Sequence, residues 1–327
     1  MDNTLEPDTA GTDATTHLPQ TIGRLNEPSA VRRLELGGTR FTYVIDGTMG
    51  MLPDKFFPAI PRAYWSEHPE SVDAHTRVVM AAGGLLVERA GLTLLLDAGY
   101  GTAKGASKVG EEVIAFTDCG ALPDTLAALG TSPADIDAVA FTHLHVDHTG
   151  WSFVKDEAGV MRPFFPRARY LVAAQEWAPH ECGMTIPGAP TREAVIGPLA
   201  DRHTPFEDGE EISPGVHALV TPGHSPGHTS YIVTTDAGRL IMFGDAFHIP
   251  AQIQHPDWPS LPDVDAAAVL KARARLVAEL EQPDTIGLGC HFGDQAFGRV
   301  VRNAEGTPTW QPIPTTELLP SPRPLSL

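Results

Sequence analysis

Thr142-His143-Leu144-His145-Val146-Asp147-His148-Thr149-Gly150 places four side chains able to bind a metal within six residues. The apolar run Ala138-Val139-Ala140-Phe141 leads into it and reads as a short buried strand, so the cluster stands where a strand gives way to a loop. Along an extended backbone, alternation sends His143, His145 and Asp147 to one side and His148 to the other. One loop is then expected to feed two neighbouring ions, His143 and His145 serving one, Asp147 and His148 the next. Imidazole nitrogen and carboxylate oxygen suit zinc and similar divalent ions. The alternative, a polar loop that is merely rich in histidine, does not account for this spacing directly after an apolar strand.

Three later stretches repeat the pattern of an apolar run followed by ligand-type residues. Leu219-Val220 leads into Thr221-Pro222-Gly223-His224-Ser225-Pro226-Gly227-His228-Thr229, Leu240 to Phe243 into Gly244-Asp245, and Ile286 to Gly289 into Cys290-His291-Phe292. Upstream, Leu94-Leu95-Leu96-Asp97-Ala98-Gly99 ends another apolar run on an aspartate turn. The nonamer resembles the HxHxDH signature of the metallo-β-lactamase superfamily, and the other stretches are similar to that family's remaining motifs, in the family's order, over roughly Leu34 to Pro312.

The resemblance implies an α/β fold, a four-layer αββα sandwich with a metal site at one edge of the two sheets. It implies two divalent ions, one held by His143, His145 and His224 and the other by Asp147, His148 and His291, with Asp245 bridging. Zinc is the expected ion; Mn2+, Fe2+ and Co2+ are the alternatives. Two such ions about 3.5–4 Å apart lower the pKa of a shared water towards neutrality, which supplies a hydroxide without Ser or Cys. One ion then polarises the scissile C=O or P=O, and the other steadies the departing oxygen. Asp97 is expected either to orient a ligand histidine or to bond its own turn backbone. His228 is expected to be a structural histidine, Cys290 to be strand-end packing, and His180 to lie outside the ligand set. Trp151, Phe247, His248, His255 and Trp258 follow metal motifs closely and are expected to face the pocket.

Asp245 also separates branches of the family. The metallo-β-lactamases proper generally lack an aspartate there and are usually exported, whereas glyoxalase-II-type thioesterases and acyl-homoserine lactonases share the complete set. Length, the early Pro/Phe-rich segment and the run from Thr221 to Asp245 look most like the lactonase and methyl parathion hydrolase branch. The expected activity is therefore opening of a lactone or cleavage of a related carboxylic ester, so the expected partner is a small ester or lactone. Phosphotriester and then thioester hydrolysis are the alternatives, followed by a metal- and acyl-ligand-binding protein without turnover. Asp147, Asp245 and His248 are the residues expected to act on the reaction directly. Well-known lactonases place a tyrosine where this chain has His248. A histidine there would orient the carbonyl or protonate the leaving group, since it titrates near operating pH.

Composition narrows the field further. A chain of 327 residues, 42% of them hydrophobic, can bury a sizeable core. A net charge of −18 argues against a nucleic-acid partner, since phosphate backbones need a cationic surface. No apolar run approaches membrane-spanning length. Cysteines 119, 182 and 290 are odd in number and irregular in spacing, which fits a reducing cytoplasm rather than a disulfide framework. Residues 1–30 read as a polar, disordered leader, residues 31–312 as one hydrolase domain, and residues 313–327 as a loose Pro-rich tail.

Element by element, Val31 to Ile45 reads as a hairpin ending at Asp46-Gly47. Residues 48–71, apolar but Pro-rich, read as a wall or lid over the site, a subunit contact giving a homodimer, or an arm packed on its own core. Strands are expected at Gly84–Glu88 and Leu92–Leu96, and a helix at Pro123–Leu129 with Gly130 beyond its end. A hairpin follows around Asp156–Gly159, then a strand at Arg169–Val172 and an insertion near the site over residues 177–202. Asp265 to Glu281 is the clearest helix, with Val269, Leu276, Val277 and Leu280 as its apolar stripe.

Overall fold

Leu94-Leu95-Leu96 and Ala138-Val139-Ala140 have no polar face, as strands buried between two layers require. In the computed structural model, which describes residues 18–325, they lie side by side and parallel inside the larger of two sheets. That sheet runs Gln20–Thr21, Thr315–Leu319, Val31–Leu36, Thr39–Met51, Val78–Arg89, Leu92–Leu96, Ala138–Ala140, Arg169–Ala173, His203–Phe206. A hairpin, Lys104–Val109 and Glu112–Cys119, hangs from the second half of Thr39–Met51. The smaller sheet runs Glu211–Ser213, Val216–Val220, Thr229–Thr235, Gly238–Met242, Thr285–Leu288, Phe297–Arg302, Pro308–Pro312.

Alternation within these strands builds the layers. Tyr43, Leu85, Leu96 and Ala140 from one sheet meet Val216, Tyr231, Leu240 and Leu288 from the other in a shared inner core. The opposite face of the first sheet (Val44, Leu86, Leu95, Val139) packs against Leu122 and Leu126 of the helix Leu122–Ala128 and Trp177 of the helix Ala174–Glu181. Ile241 and Phe243 pack outward against Leu276 and Leu280 of the helix Ala266–Leu280. The result is helix, sheet, sheet, helix. Each apolar-run-then-ligand stretch leaves its strand at the same end, so the ligand-type residues gather at one edge of the sandwich.

Several boundaries differ from the sequence reading, each for a physical reason. The first hairpin turns at Gly37-Gly38, and its second strand runs on through Asp46 to Met51 with a register slip between Ile45 and Gly47. Asp46 fixes that slip: its carboxylate accepts from the backbone N–H groups of Tyr100, Gly101, Gly120 and Leu122 and from Trp151 Nε1. The tail is not loose, because Thr315–Leu319 pairs with Val31–Leu36 on one side and Gln20–Thr21 on the other. Part of the leader forms a strand, Gln20–Thr21; residues 1–17, on which the rest of that expectation falls, lie outside the described residues. The apolar residues of the 48–71 arm (Met49, Met51, Phe56, Phe57, Trp65) are buried together against Met80 and Ile249. Their apolar content therefore needs no partner subunit. No described helix is long and apolar enough to cross a membrane.

Candidate metal centre

The nonamer does not stay extended. His145 caps a one-turn helix, Val146–Thr149, so Asp147 and His148 are set by helical rotation rather than by strand alternation. The grouping nevertheless has His143 and His145 together with His224, and Asp147 and His148 together with Asp245 and His291. In each group one ligand atom per residue lies within 4.8 Å of all the others.

Asp245 stands between the groups. Its Oδ2 lies 3.3 Å from His224 Nε2 and 3.9 Å from His143 Nε2. Its Oδ1 lies 3.2 Å from His148 Nε2 and 3.0 Å from His291 Nε2. Asp147 Oδ2 completes the second group at 3.6 Å from His148 Nε2 and 3.8 Å from His291 Nε2. His145 presents its other nitrogen, Nδ1, 3.0 Å from His224 Nε2.

The far side of four of the five imidazoles is tied down, which fixes their tautomers, while the outer nitrogen of His145 has no hydrogen-bond partner. His148 Nδ1 donates to Asp97 Oδ2 at 2.8 Å, and His224 Nδ1 to Asp263 Oδ1 at 2.9 Å. His291 Nδ1 donates to the Ala81 carbonyl at 2.8 Å. His143 Nδ1 donates to Thr142 Oγ1, whose hydroxyl in turn donates a hydrogen bond to Asp97 Oδ2. Asp97 thus orients His148 directly and His143 through Thr142, from a left-handed backbone (φ 64°) that aspartate tolerates better than most residues. We expect Asp97→Ala to weaken metal affinity about 10–100-fold, measured by competition with a chromogenic chelator; unchanged affinity would reduce Asp97 to a turn residue.

The donor set fits divalent cations. His143 Nε2 and His148 Nε2 are buried with no hydrogen-bond partner, an arrangement that costs free energy unless something binds there. Burial pushes His143 and His145 well below the usual histidine range, so both offer lone pairs. Burial also disfavours charge on His148 and His291, but Asp245 outweighs it and holds both well above that range. Asp245 pays the same burial penalty, yet its surrounding histidines keep it ionised. Divalent cations held by these residues would take the place of those protons.

Other residues fall outside the two groups. His228 is structural: its Nε2 accepts from the Asp245 backbone N–H at 2.9 Å and its Nδ1 meets Thr221 Oγ1. Cys290 is buried, its Sγ 3.7 Å from Asp245 Oδ1, and His180 belongs to neither group. Of the five residues expected to face the pocket, only His248 lines it. Trp151 is drawn away by Asp46, Phe247 packs beside Phe243 under the second sheet, and His255 stacks on Trp258 at 4.0 Å. Glu176 gave no sequence signal beyond being an acid at a helix start. It accepts from Leu144 N, Ser225 Oγ and Gly227 N, locking the first motif to the second.

Above the groups lies a cavity of about 430 Å³. Met49, Met51, Phe56, Met80, Ile114 and Leu261 wall it, and His145, Asp147, Asp245, His248 and His291 form its polar floor. The 177–202 segment reaches it through Pro187-Gly188. Gly188 is held at φ 80°, and a Cβ there would sit 2.9–3.1 Å from the His145 ring, so only glycine lets the loop close on that histidine.

Residues 84–286 match the family model described as the metallo-beta-lactamase superfamily. The chain belongs to that superfamily. Among relatives, an N-acyl homoserine lactonase of Bacillus cereus is 29% identical over 119 residues, 36% of this chain and 40% of the relative. The lactonase AttM of Agrobacterium fabrum is 28% identical over 167 residues, 46% of this chain and 55% of the relative. The chain thus spans about half the length of the curated relatives it matches. Among solved structures, AidC, a dizinc quorum-quenching lactonase solved with a product, superposes with a TM-score of 0.73 at 20% identity. That match covers 88% of this chain and 99% of AidC. AbOPH, a hydrolase in the beta lactamase superfamily, gives 0.69 at 21% identity, with 88% and 99% covered. At such identity the likeness shows the metallo-beta-lactamase fold.

Proposed function

We propose that this protein is a hydrolase dependent on two divalent ions, which opens a lactone or cleaves a related carboxylic ester. The observation that carries the reading is the division of Asp245, one carboxylate oxygen facing each ligand group, at the floor of a largely apolar cavity. His143, His145 and His224 would hold one ion, Asp147, His148 and His291 the other, with Asp245 shared. Bound there, zinc or a similar pair would supply an ionised water near neutral pH and an electrophile for the carbonyl oxygen. The lactonase relatives and the AidC neighbour support carbonyl chemistry.

The chain's own residues supply the rest. The methionine and phenylalanine walls keep bulk water from the reacting carbon and match an acyl chain. His248 is held in place: its backbone N–H donates to Gln252 Oε1 at 2.7 Å, while its ring Nδ1 lies 3.2 Å from Ser260 Oγ and its ring Nε2 lies 3.2 Å from Asp245 Oδ2. Burial lowers its pKa, which leaves it neutral at pH 7 and able to hydrogen-bond the carbonyl or carry a proton to the departing oxygen. We expect His248→Ala to lower kcat/KM by about 10²-fold; a change within about twofold would remove His248 from the reaction.

A panel of lactones, a phosphotriester and a thioester, run side by side on zinc- and manganese-loaded protein with proton release as the readout, tests the assignment. Metal-dependent ring opening well above the other two supports it. Phosphotriester turnover with silent lactones would move the protein to the methyl parathion hydrolase type.

A further inference from the structure

The mouth of the cavity carries its own recognition element. In the Lys104–Val109 and Glu112–Cys119 hairpin, Ser107 pairs with Ala115 but Lys108 pairs with Val113, leaving Ile114 as an extra residue in the second strand. The Ile114 carbonyl accepts from Leu52 N at 2.8 Å, which pins this bulge to the 48–71 arm. Bulges add twist and re-aim side chains. A flat ribbon turns alternate residues away from any one face; here Ser107, Lys108 and Val109 in succession all line the cavity.

Lys108 is the one Lys or Arg in that lining. Its neighbours are already spent: Lys104 pairs with Asp118 at 3.0 Å and Lys55 with Glu112 at 2.9 Å. The Lys108 side chain has no ion pair or hydrogen bond among the described residues. In a chain of net charge −18, an unpaired ammonium at the rim of an apolar cavity is a local attractor for an anion.

We propose that Lys108 determines specificity by binding a carboxylate at the far end of the substrate's acyl arm. The ester or lactone taken is then apolar along its acyl chain and anionic at its tip: the ligand groups hold the reacting end, the methionine and phenylalanine walls the middle, and Lys108 the tip. This rests on the hydrolytic reading above for the orientation of the chain.

The test is binding, measured calorimetrically on zinc-loaded protein with straight-chain dicarboxylates from succinate to sebacate and monocarboxylates of equal carbon number. At one or two chain lengths the dicarboxylate is expected to bind at least about tenfold more tightly than its monocarboxylate partner, less so at high salt. Lys108→Met should abolish the difference and Lys108→Glu reverse it, with metal content unchanged because the residue is exposed on a hairpin. No preference at any length, or a preference that survives in Lys108→Met, overturns the proposal. Because binding needs no turnover, the two readings fail separately. Hydrolysis of neutral esters without any dicarboxylate preference sinks Lys108 alone; selective dicarboxylate binding without hydrolysis of any ester sinks the hydrolytic reading and leaves Lys108 as the anion-binding residue.

Discussion

Asp245→Asn is expected to lower turnover by roughly 10³-fold, about 4 kcal/mol of barrier, and to leave the protein with one or no tightly held ion. Among the described residues, this carboxylate is the one whose two oxygens reach both ligand groups, at 3.0–3.3 Å from His148, His224 and His291. Asparagine keeps the shape but offers one oxygen and no charge. Its amide nitrogen would face either His143 and His224 or His148 and His291, and an N–H donor cannot share a cation. The backbone bond from residue 245 to His228 does not involve the side chain and should survive, so the variant should fold. Metal content by mass spectrometry, alongside kcat and circular dichroism, checks this. Two retained ions with full activity would mean that Asp245 does not bridge.

Arg273→Ala should be the most damaging substitution away from the ligands. Arg273 is fully buried on the helix Ala266–Leu280, a charged residue in line with Val269, Leu276 and Leu280 on the inward face. Its guanidinium donates to the carbonyls of Ala246, Pro256 and Trp258 at 2.7–2.9 Å and lies 3.5 Å from Asp263 Oδ2. It therefore ties down the segment that carries His248 and Ser260, as well as Asp263, the partner of His224. Removing it takes the side-chain donor from the Ala246 and Pro256 carbonyls, leaves Gln252 Nε2 alone on that of Trp258, and deprives the Asp263 carboxylate of its buried cation. Breaking a buried pair of this kind costs about 3–5 kcal/mol, equivalent to a fall of about 5–15 °C in the melting temperature of the metal-free protein. Lysine should restore less than half of the loss, since one ammonium cannot match a planar fork with several donors. A melting temperature within 2–3 °C of wild type, an interval roughly equal to 1 kcal/mol, would contradict this role.

What was legible in the sequence was whatever is written locally. Apolar runs ending in ligand-type residues located each motif, and the superfamily follows from their order. The Ala266–Leu280 helix shows its N-cap aspartate and its apolar stripe within one window. What was illegible depends on partners far along the chain. Asp46 collects donors from residues 100–151, Glu176 joins residues 144 and 227, and Arg273 answers carbonyls near residue 250. None of these leaves a periodicity. The Lys104–Val109 strand was missed because Lys-Gly-Ala-Ser-Lys-Val has no apolar face, its pairing being set by the strand it hangs from. Thr315–Leu319 was missed because flanking prolines read as a breaker, although proline is tolerated at strand ends. The turn of helix at Asp147, only four residues long, is too short to show any helical pattern.

The most direct measurement is a metal titration. Metal-free protein would be given zinc in fractions of an equivalent while bound metal and lactone ring opening are followed together. The account predicts little hydrolysis through the first equivalent, a rise with the second to a plateau at two ions per chain, and no rise in Asp245→Asn. Full activity at one equivalent, or none at two for any ester, lactone or phosphotriester, would contradict it.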